Sequence, residues 1–182
     1  LETGQKFKVL CGTVVNATGV WSDDIEEFAG EHGSRVRASK GIHLLVPRNR
    51  LELDTGLILR TNESVLFVIP WDQHWIVGTT DTDWDLDRDH PAASQKDILY
   101  LLSTLNEVLS TPLHYSDIVG VYAGLRPLLS GESEKTSKLS REHAVSISTP
   151  GLVSISGGKY TTYRVMAADT IDAVGIDQDL DL

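Results

Sequence analysis

The chain has 182 residues, 41% hydrophobic and 23% charged, and its 16 basic against 26 acidic side chains leave a formal net charge of −10. That composition is ordinary for a soluble globular protein and supports one large domain or parts of two. The negative balance, with no basic tail, disfavours nonspecific attraction to nucleic acid or anionic lipid. The single cysteine excludes an internal disulfide framework, and no apolar run reaches membrane-spanning length.

In chain order, Phe7 to Leu10 and Thr13 to Asn16 read as strands broken at Cys11-Gly12, and Cys11 is expected to pack as a small core residue. Ser22 reads as the cap of a short helix, with Asp23 and Asp24 well placed in its first turn. Strand signals then crowd together: Val36 to Ser39, Ile42 to Val46, Leu57 to Leu59, Val65 to Ile69 and Trp75 to Thr79, the last two flanking a hairpin turn. A long helix follows. Ser94 and Asp97 have capping-box spacing, and Ile98, Leu101, Leu102, Leu105, Val108 and Leu109 keep the three-four spacing of a buried face. Ile118 to Ala123 reads as a strand, and Ala144 to Ser148 pairs with Leu152 to Ser156 across Thr149-Pro150-Gly151. A last helix runs through Val165, Ala168 and Ile171 and is expected to end near Gly175.

This order gives a mixed α+β or α/β chain. Residues 35–149 form a largely antiparallel sheet carrying a helix, and residues 1–34 and 150–182 carry strand-turn-helix units of a nucleotide-binding layer, the two ends belonging to one domain. An acidic protein that handles an anion must gather its cations. Arg35, Arg37, Lys40, Arg48 and Arg50 cluster around His43, while Arg126, Arg141, Lys159 and Arg164 occur near strand ends. Most of the cluster reads as the solvated face of edge strands. His43 interrupts an apolar strand and is either a hydrogen-bonded core histidine or a site residue. The six histidines show no metal-ligand spacing, so no metal site is expected, and neither a Gly-x-Ser-x-Gly nor a Gly-x-Gly-x-x-Gly occurs.

The stretch Ile155-Ser156-Gly157-Gly158-Lys159-Tyr160-Thr161-Thr162-Tyr163-Arg164 joins an alternating apolar run to a helix. It fails as a triphosphate loop, because Val153 stands where the first glycine is needed and Tyr160 where a Ser or Thr should follow the lysine. Two glycines still let the backbone approach a ligand, and Thr161 or Thr162 can cap the helix. A glycine-rich turn with a solvated lysine is the plainer alternative.

An ordered set of motifs resembles the FAD-dependent glycerol-3-phosphate dehydrogenases of the D-amino-acid-oxidase-like flavoprotein superfamily. It comprises Val14 to Ser22 (VVNATGVWS), Ser39 to Arg48 (SKGIHLLVPR), Gly78-Thr79-Thr80-Asp81, Ala123 to Leu128 (AGLRPL), Ser140-Arg141-Glu142-His143 and Gly157 to Arg164 (GGKYTTYR). The resemblance implies oxidation of sn-glycerol 3-phosphate to dihydroxyacetone phosphate, with hydride passing to FAD and electrons to a quinone. It implies FAD contacts at Ala17, Thr18, Gly19, Trp21, Gly157, Gly158, Lys159, Thr161 and Thr162. Substrate positions are His43, Arg126, Arg141 and Lys159, with His43 as base, Arg126 orienting the reacting hydroxyl, Arg141 clamping phosphate and Lys159 facing the flavin. It also implies a cytoplasmic protein peripheral to the inner face of the cell membrane, with homodimerisation as a further expectation.

The family's glycine-rich strand should precede residue 1 and its C-terminal helical domain should follow residue 182. The chain by itself is therefore expected to bind FAD poorly and to lack dehydrogenase activity. Two alternatives stand beside this reading: the substrate domain of a related flavin amine or amino-acid oxidase, and a non-catalytic structural module.

Overall fold

The computed structural model describes residues 4–31, 35–61, 65–130 and 142–180. In chain order the elements are β1 (Val14–Asn16), α1 (Ser22–Phe28), β2 (Val36–Pro47), β3 (Leu57–Arg60), β4 (Val65–Trp71), β5 (His74–Gly78), β6 (Thr82–Asp83), α2 (Gln95–Asn106), β7 (Gly120–Leu129), β8 (His143–Thr149), β9 (Leu152–Gly157) and α3 (Tyr163–Asp177). They fall into two compact units, Leu1–Val36 with Arg141–Leu182 and Arg37–Ser140. Both chain ends thus share one unit. β8, which the sequence placed in the middle piece, belongs with them because it pairs with β9.

In the first unit β9 is the central strand. It runs parallel to β1, with Val14 opposite Leu152, and antiparallel to β8. A strand covered on both faces needs no polar alternation, and Leu152, Val153, Ser154 and Ile155 are all buried. α3 packs on β8 and β9, and α1 on β9. Asp177 near the end of α3 ties the helix down: its carboxylate accepts hydrogen bonds from Thr13 Oγ1 (2.8 Å) and from the Gly151 amide (3.0 and 3.1 Å).

Five expectations change here. Phe7 to Leu10 forms no strand; these side chains are exposed and no neighbouring strand pairs with them, so Cys11 is exposed as well. Ser22 is the first residue of α1, not its cap, because a 3-10 turn at Gly19–Trp21 precedes it and the Ser22 hydroxyl donates to the Gly19 carbonyl (2.8 Å). α3 continues past Gly175 to Asp177, since that glycine is buried within the helix and the carboxylate clip lies beyond it. Thr162 does not cap α3 with its side chain; its hydroxyl donates to the Lys159 carbonyl (3.0 Å) and accepts from the Lys159 amide (3.3 Å) in a tight turn before the helix.

The second unit is built on the strand order β3-β4-β5-β2-β6, with β7 also pairing with β2. Alternation is clear: Ile42, Leu44 and Val46 of β2, Leu66 and Val68 of β4, and Trp75 and Val77 of β5 point into one core. α2 covers that face through Ile98, Leu101, Leu102 and Leu105, each such burial contributing about 1.5–3 kcal/mol. The hairpin between β4 and β5 turns at Asp72-Gln73, with Asp72 in the left-handed region (φ 48°).

The two strands expected at Val36 to Ser39 and Ile42 to Val46 are one, because Lys40 does not have to leave the sheet to find water. It is 5% exposed, and its ammonium donates to Asp97 Oδ2 (2.7 Å) and the Ala92 carbonyl (3.1 Å), 4.8 Å from the centre of the Trp84 ring. Asp97 in turn completes the expected capping box, accepting from the Ser94 amide (2.8 Å) while Ser94 Oγ accepts from the Asp97 amide (3.2 Å). Lys40 therefore departs from the solvated face expected of its cluster, whereas Arg37 pairs with Asp83 (2.7 Å) and Arg50 with Asp117 (2.9 Å) at partly exposed positions.

Candidate functional site

Strand period two decides what kind of histidine His43 is. Ile42 and Leu44 enter the core, so His43 leaves from the opposite face of β2, half buried, and it is not a core residue. No hydrogen bond to its imidazole occurs among the described residues. Its pairing partner is Gly78, where a Cβ would lie 2.4 Å from the His43 ring. On another side the Tyr122 ring stacks on it, 4.9 Å between centroids at 16°. Burial, and then the positive charge of Arg126, hold the imidazole below its ordinary pKa. It is thus neutral at neutral pH and able to accept a proton.

Arg126, on β7, is fixed by the same surroundings. Its guanidinium donates to the Thr80 carbonyl (3.1 Å) and Thr79 Oγ1 (2.9 Å). It also occupies the space above Gly41, where a Cβ would meet it at 2.2 Å. Tyr122, Gly124 and Arg126 alternate along one face of β7, and a Cβ on Gly124 would meet nothing within 4 Å. The strand thus presents an aromatic ring, a bare backbone step and a cation in sequence. Thr79, Thr80 and Lys40 also line a separate cavity of about 440 Å³ with Trp84, Asp97 and Tyr100; neither His43 nor Arg126 borders it.

In the first unit, the parallel pairing of β1 and β9 brings their C-terminal ends to one edge. Ala17, Thr18, Gly19 and Trp21 follow β1, while Gly157 ends β9 and Gly158, Lys159, Thr161 and Thr162 follow it. Buried Asn16 organises the first turn, donating to the Ser22 carbonyl (2.9 Å) and Ser154 Oγ (3.2 Å) and accepting from Thr18 Oγ1 (2.7 Å). Gly19, Gly157 and Gly158 have φ of 65°, 76° and 75°, left-handed conformations that favour glycine. At Gly158 there is no room either, since a Cβ would lie 2.5 Å from Met166 Sδ. Lys159 is exposed at the rim of a cavity of about 480 Å³ that His143, Thr162 and Asp169 also line. His143 Nε2 lies 2.6 Å from Asp169.

The structure therefore unites His43 with Arg126, and the residues after β1 with those after β9. Arg141 lies outside the described residues. Reading by sequence missed Tyr122 as a neighbour of His43 and Thr79 as a holder of Arg126. The available signal for Tyr122 was its four-residue spacing from Arg126 on one strand, which puts both on one face.

The chain belongs to the FAD-dependent oxidoreductase (DAO) family, whose pattern matches residues 1–164. It is 63% identical over 173 residues to glycerol-3-phosphate dehydrogenase 2 of Mycobacterium bovis, covering 94% of this chain and 30% of that protein. It is 37% identical over 177 residues to human mitochondrial glycerol-3-phosphate dehydrogenase, covering 94% of this chain and 24% of that one. Among solved structures, the Bacillus halodurans glycerol-3-phosphate dehydrogenase complexed with FAD superposes with a TM-score of 0.79 at 34% identity, over 93% of this chain and 33% of that one. Glycine oxidase of Geobacillus kaustophilus, at 17% identity and a TM-score of 0.62, shares the fold. The chain thus spans about 30% of the length of the mycobacterial relative.

The residues present fit a flavin. Bare, left-handed glycine backbone follows both strands, and the N-terminus of the 15-residue α3 supplies positive potential behind Lys159.

Proposed function

We propose that this chain is the substrate-holding part, and a portion of the cofactor-holding part, of an enzyme that oxidises sn-glycerol 3-phosphate to dihydroxyacetone phosphate. The observation that carries the reading is the neutral, half-buried His43 beside the fixed guanidinium of Arg126 on the surface away from the core. Oxidation of a secondary alcohol removes the proton from the hydroxyl oxygen and a hydride from the carbon that bears it. His43 takes the proton, and Arg126 orients the oxygen that becomes the carbonyl. FAD, when bound, supplies the acceptor for the hydride. Ala17, Thr18, Gly19, Trp21, Gly157, Gly158, Thr161 and Thr162 hold it, with Lys159 and the α3 N-terminus favouring negative charge there. Arg141 clamps the phosphate, which a guanidinium can grip with two parallel hydrogen bonds. Electrons pass on to a quinone, and the protein works at the cytoplasmic face of the membrane as a peripheral enzyme.

Similarity to dehydrogenases of glycerol 3-phosphate supports this substrate over an amino acid, because the 63% and 37% identical relatives both carry that name. In the FAD-loaded full-length protein, His43→Gln should lower kcat by about 10²–10⁴ with little change in KM. Arg141→Ala should mainly raise KM, and amino acids should fail to reduce the flavin. Small, equal effects of both substitutions would overturn the assignment.

A further inference from the structure

His43 stands in a slot with two unlike walls. One is the backbone of Gly78, where even a Cβ would collide with the ring; the other is the phenol ring of Tyr122, stacked at 4.9 Å and 16°. A histidine that handles protons is usually oriented by a carboxylate or carbonyl on its second ring nitrogen. Among the described residues His43 has no such partner, so packing alone fixes its ring plane.

We propose that Tyr122 is the positioning residue of this site, holding the His43 imidazole in its place beside Gly78 by ring stacking so that its nitrogens stay free for the substrate. This inference rests on the reading of His43 as the base. A stack suits that task better than a hydrogen bond. It restrains rotation about χ2, a broad and soft torsion in histidine, without occupying either nitrogen. The next positions on the same face of β7 are consistent with it: Gly124 keeps the space beyond the tyrosine clear and Arg126 closes the row. The tyrosine hydroxyl is not needed for this, and about half of the residue is exposed (46%), so its loss should leave the fold intact. The groups facing the imidazole are Arg126 and Tyr122 from β7 and uncharged Gly78 from β5. The stack also withholds water, which together with Arg126 keeps the ring neutral.

The test compares Tyr122→Leu with Tyr122→Phe in the FAD-loaded full-length protein, using two readouts. One is the pH dependence of kcat/KM. The other is the pH midpoint of His43 acylation by diethyl pyrocarbonate, followed by mass spectrometry without turnover. Tyr122→Phe keeps the stack and should match the parent in both. Tyr122→Leu should lower kcat by about ten- to a hundredfold with little change in KM, as expected for a misplaced reacting group. It should also raise both the acylation midpoint and the acid limb of kcat/KM, because a hydrated imidazole protonates more readily. If Tyr122→Leu leaves kcat and the acylation midpoint unchanged, or if Tyr122→Phe loses as much as Tyr122→Leu, the proposal fails. A shifted acylation midpoint with an unshifted acid limb would retain the stack but overturn His43 as the base.

Discussion

The two units solve the same problem by different means. In the Arg37–Ser140 unit, three strands and α2 share one continuous apolar core, and residues such as Ile42, Trp75, Leu101 and Leu105 are completely buried. In the other unit, β9 is buried along most of its length, yet α3 buries only Thr170 and Gly175 and exposes Val165 (57%), Ile171 (54%) and Ile176 (77%). What holds α3 there is largely polar: the Asp177 clip at one end and the turn around Lys159 and Thr162 at the other. Side-chain packing therefore fixes His43, and packing with two hydrogen bonds fixes Arg126, in one unit. Backbone conformation fixes the glycine turns in the other.

The largest effect that would sharpen this contrast comes from the buried Lys40–Asp97 pair at the edge of the packed core. Removing the carboxylate in Asp97→Ala leaves the Lys40 ammonium buried without its charged partner and takes away the acceptor of the Ser94 amide in the α2 capping box. A loss of about 3–5 kcal/mol is expected, read by denaturant unfolding. The pH dependence has a definite sign. Burial raises the Asp97 pKa, but hydrogen bonds from Lys40 and Ser94 outweigh it and hold the carboxyl below its ordinary value. The pair's contribution is then complete above the ordinary aspartate pKa and disappears as pH falls through the depressed one. Asp97→Ala should flatten that acid limb, and an unchanged limb would mean that other carboxylates set it.

Next in size is a matched pair of truncations. Leu101→Ala, at a fully buried position, should cost about 2–4 kcal/mol, whereas Val165→Ala on exposed α3 should stay within about 0.5 kcal/mol. Both are read from amide exchange resolved by segment. If Val165→Ala proved as costly as Leu101→Ala, α3 would have an apolar partner and the contrast between the units would collapse.

How far the sequence revealed all this follows the same division. Where apolar spacing carries the fold it was legible: the capping box of α2, the β4–β5 and β8–β9 hairpins and the glycine turn after β9 appear as expected, although α2 ends at Asn106 and so leaves Val108, expected on its buried face, 57% exposed. It misled where a tertiary partner overrides local signals. The break expected at Lys40-Gly41 vanishes because Asp97, 57 positions away, neutralises the lysine inside the sheet. The strand expected at Phe7 to Leu10 is absent, because an apolar run becomes a strand only with a neighbour to pair with. The site shows the same limit. His43 and Arg126 stood out by residue type and motif, but their meeting depends on β2 and β7 pairing, a contact no local pattern encodes.

The smallest expected effect probes the polar clip itself. Asp177 accepts from the Gly151 amide, Thr13 and Gln178, and these bonds hold its pKa below the ordinary range. An asparagine of the same shape keeps one acceptor but presents an NH₂ where the second carboxylate oxygen had been, so Asp177→Asn should loosen the attachment of α3 to the β1–β9 edge. Amides near the C-terminus of α3 should then exchange faster, while those of α2 and β2 keep their parent rates. Lowering the pH through the depressed Asp177 pKa should produce the same local loosening in the parent protein and none in the variant. If the faster exchange spread equally into α2, the two units would unfold as one, and the division between a packed half and a clipped half would not extend to their stability.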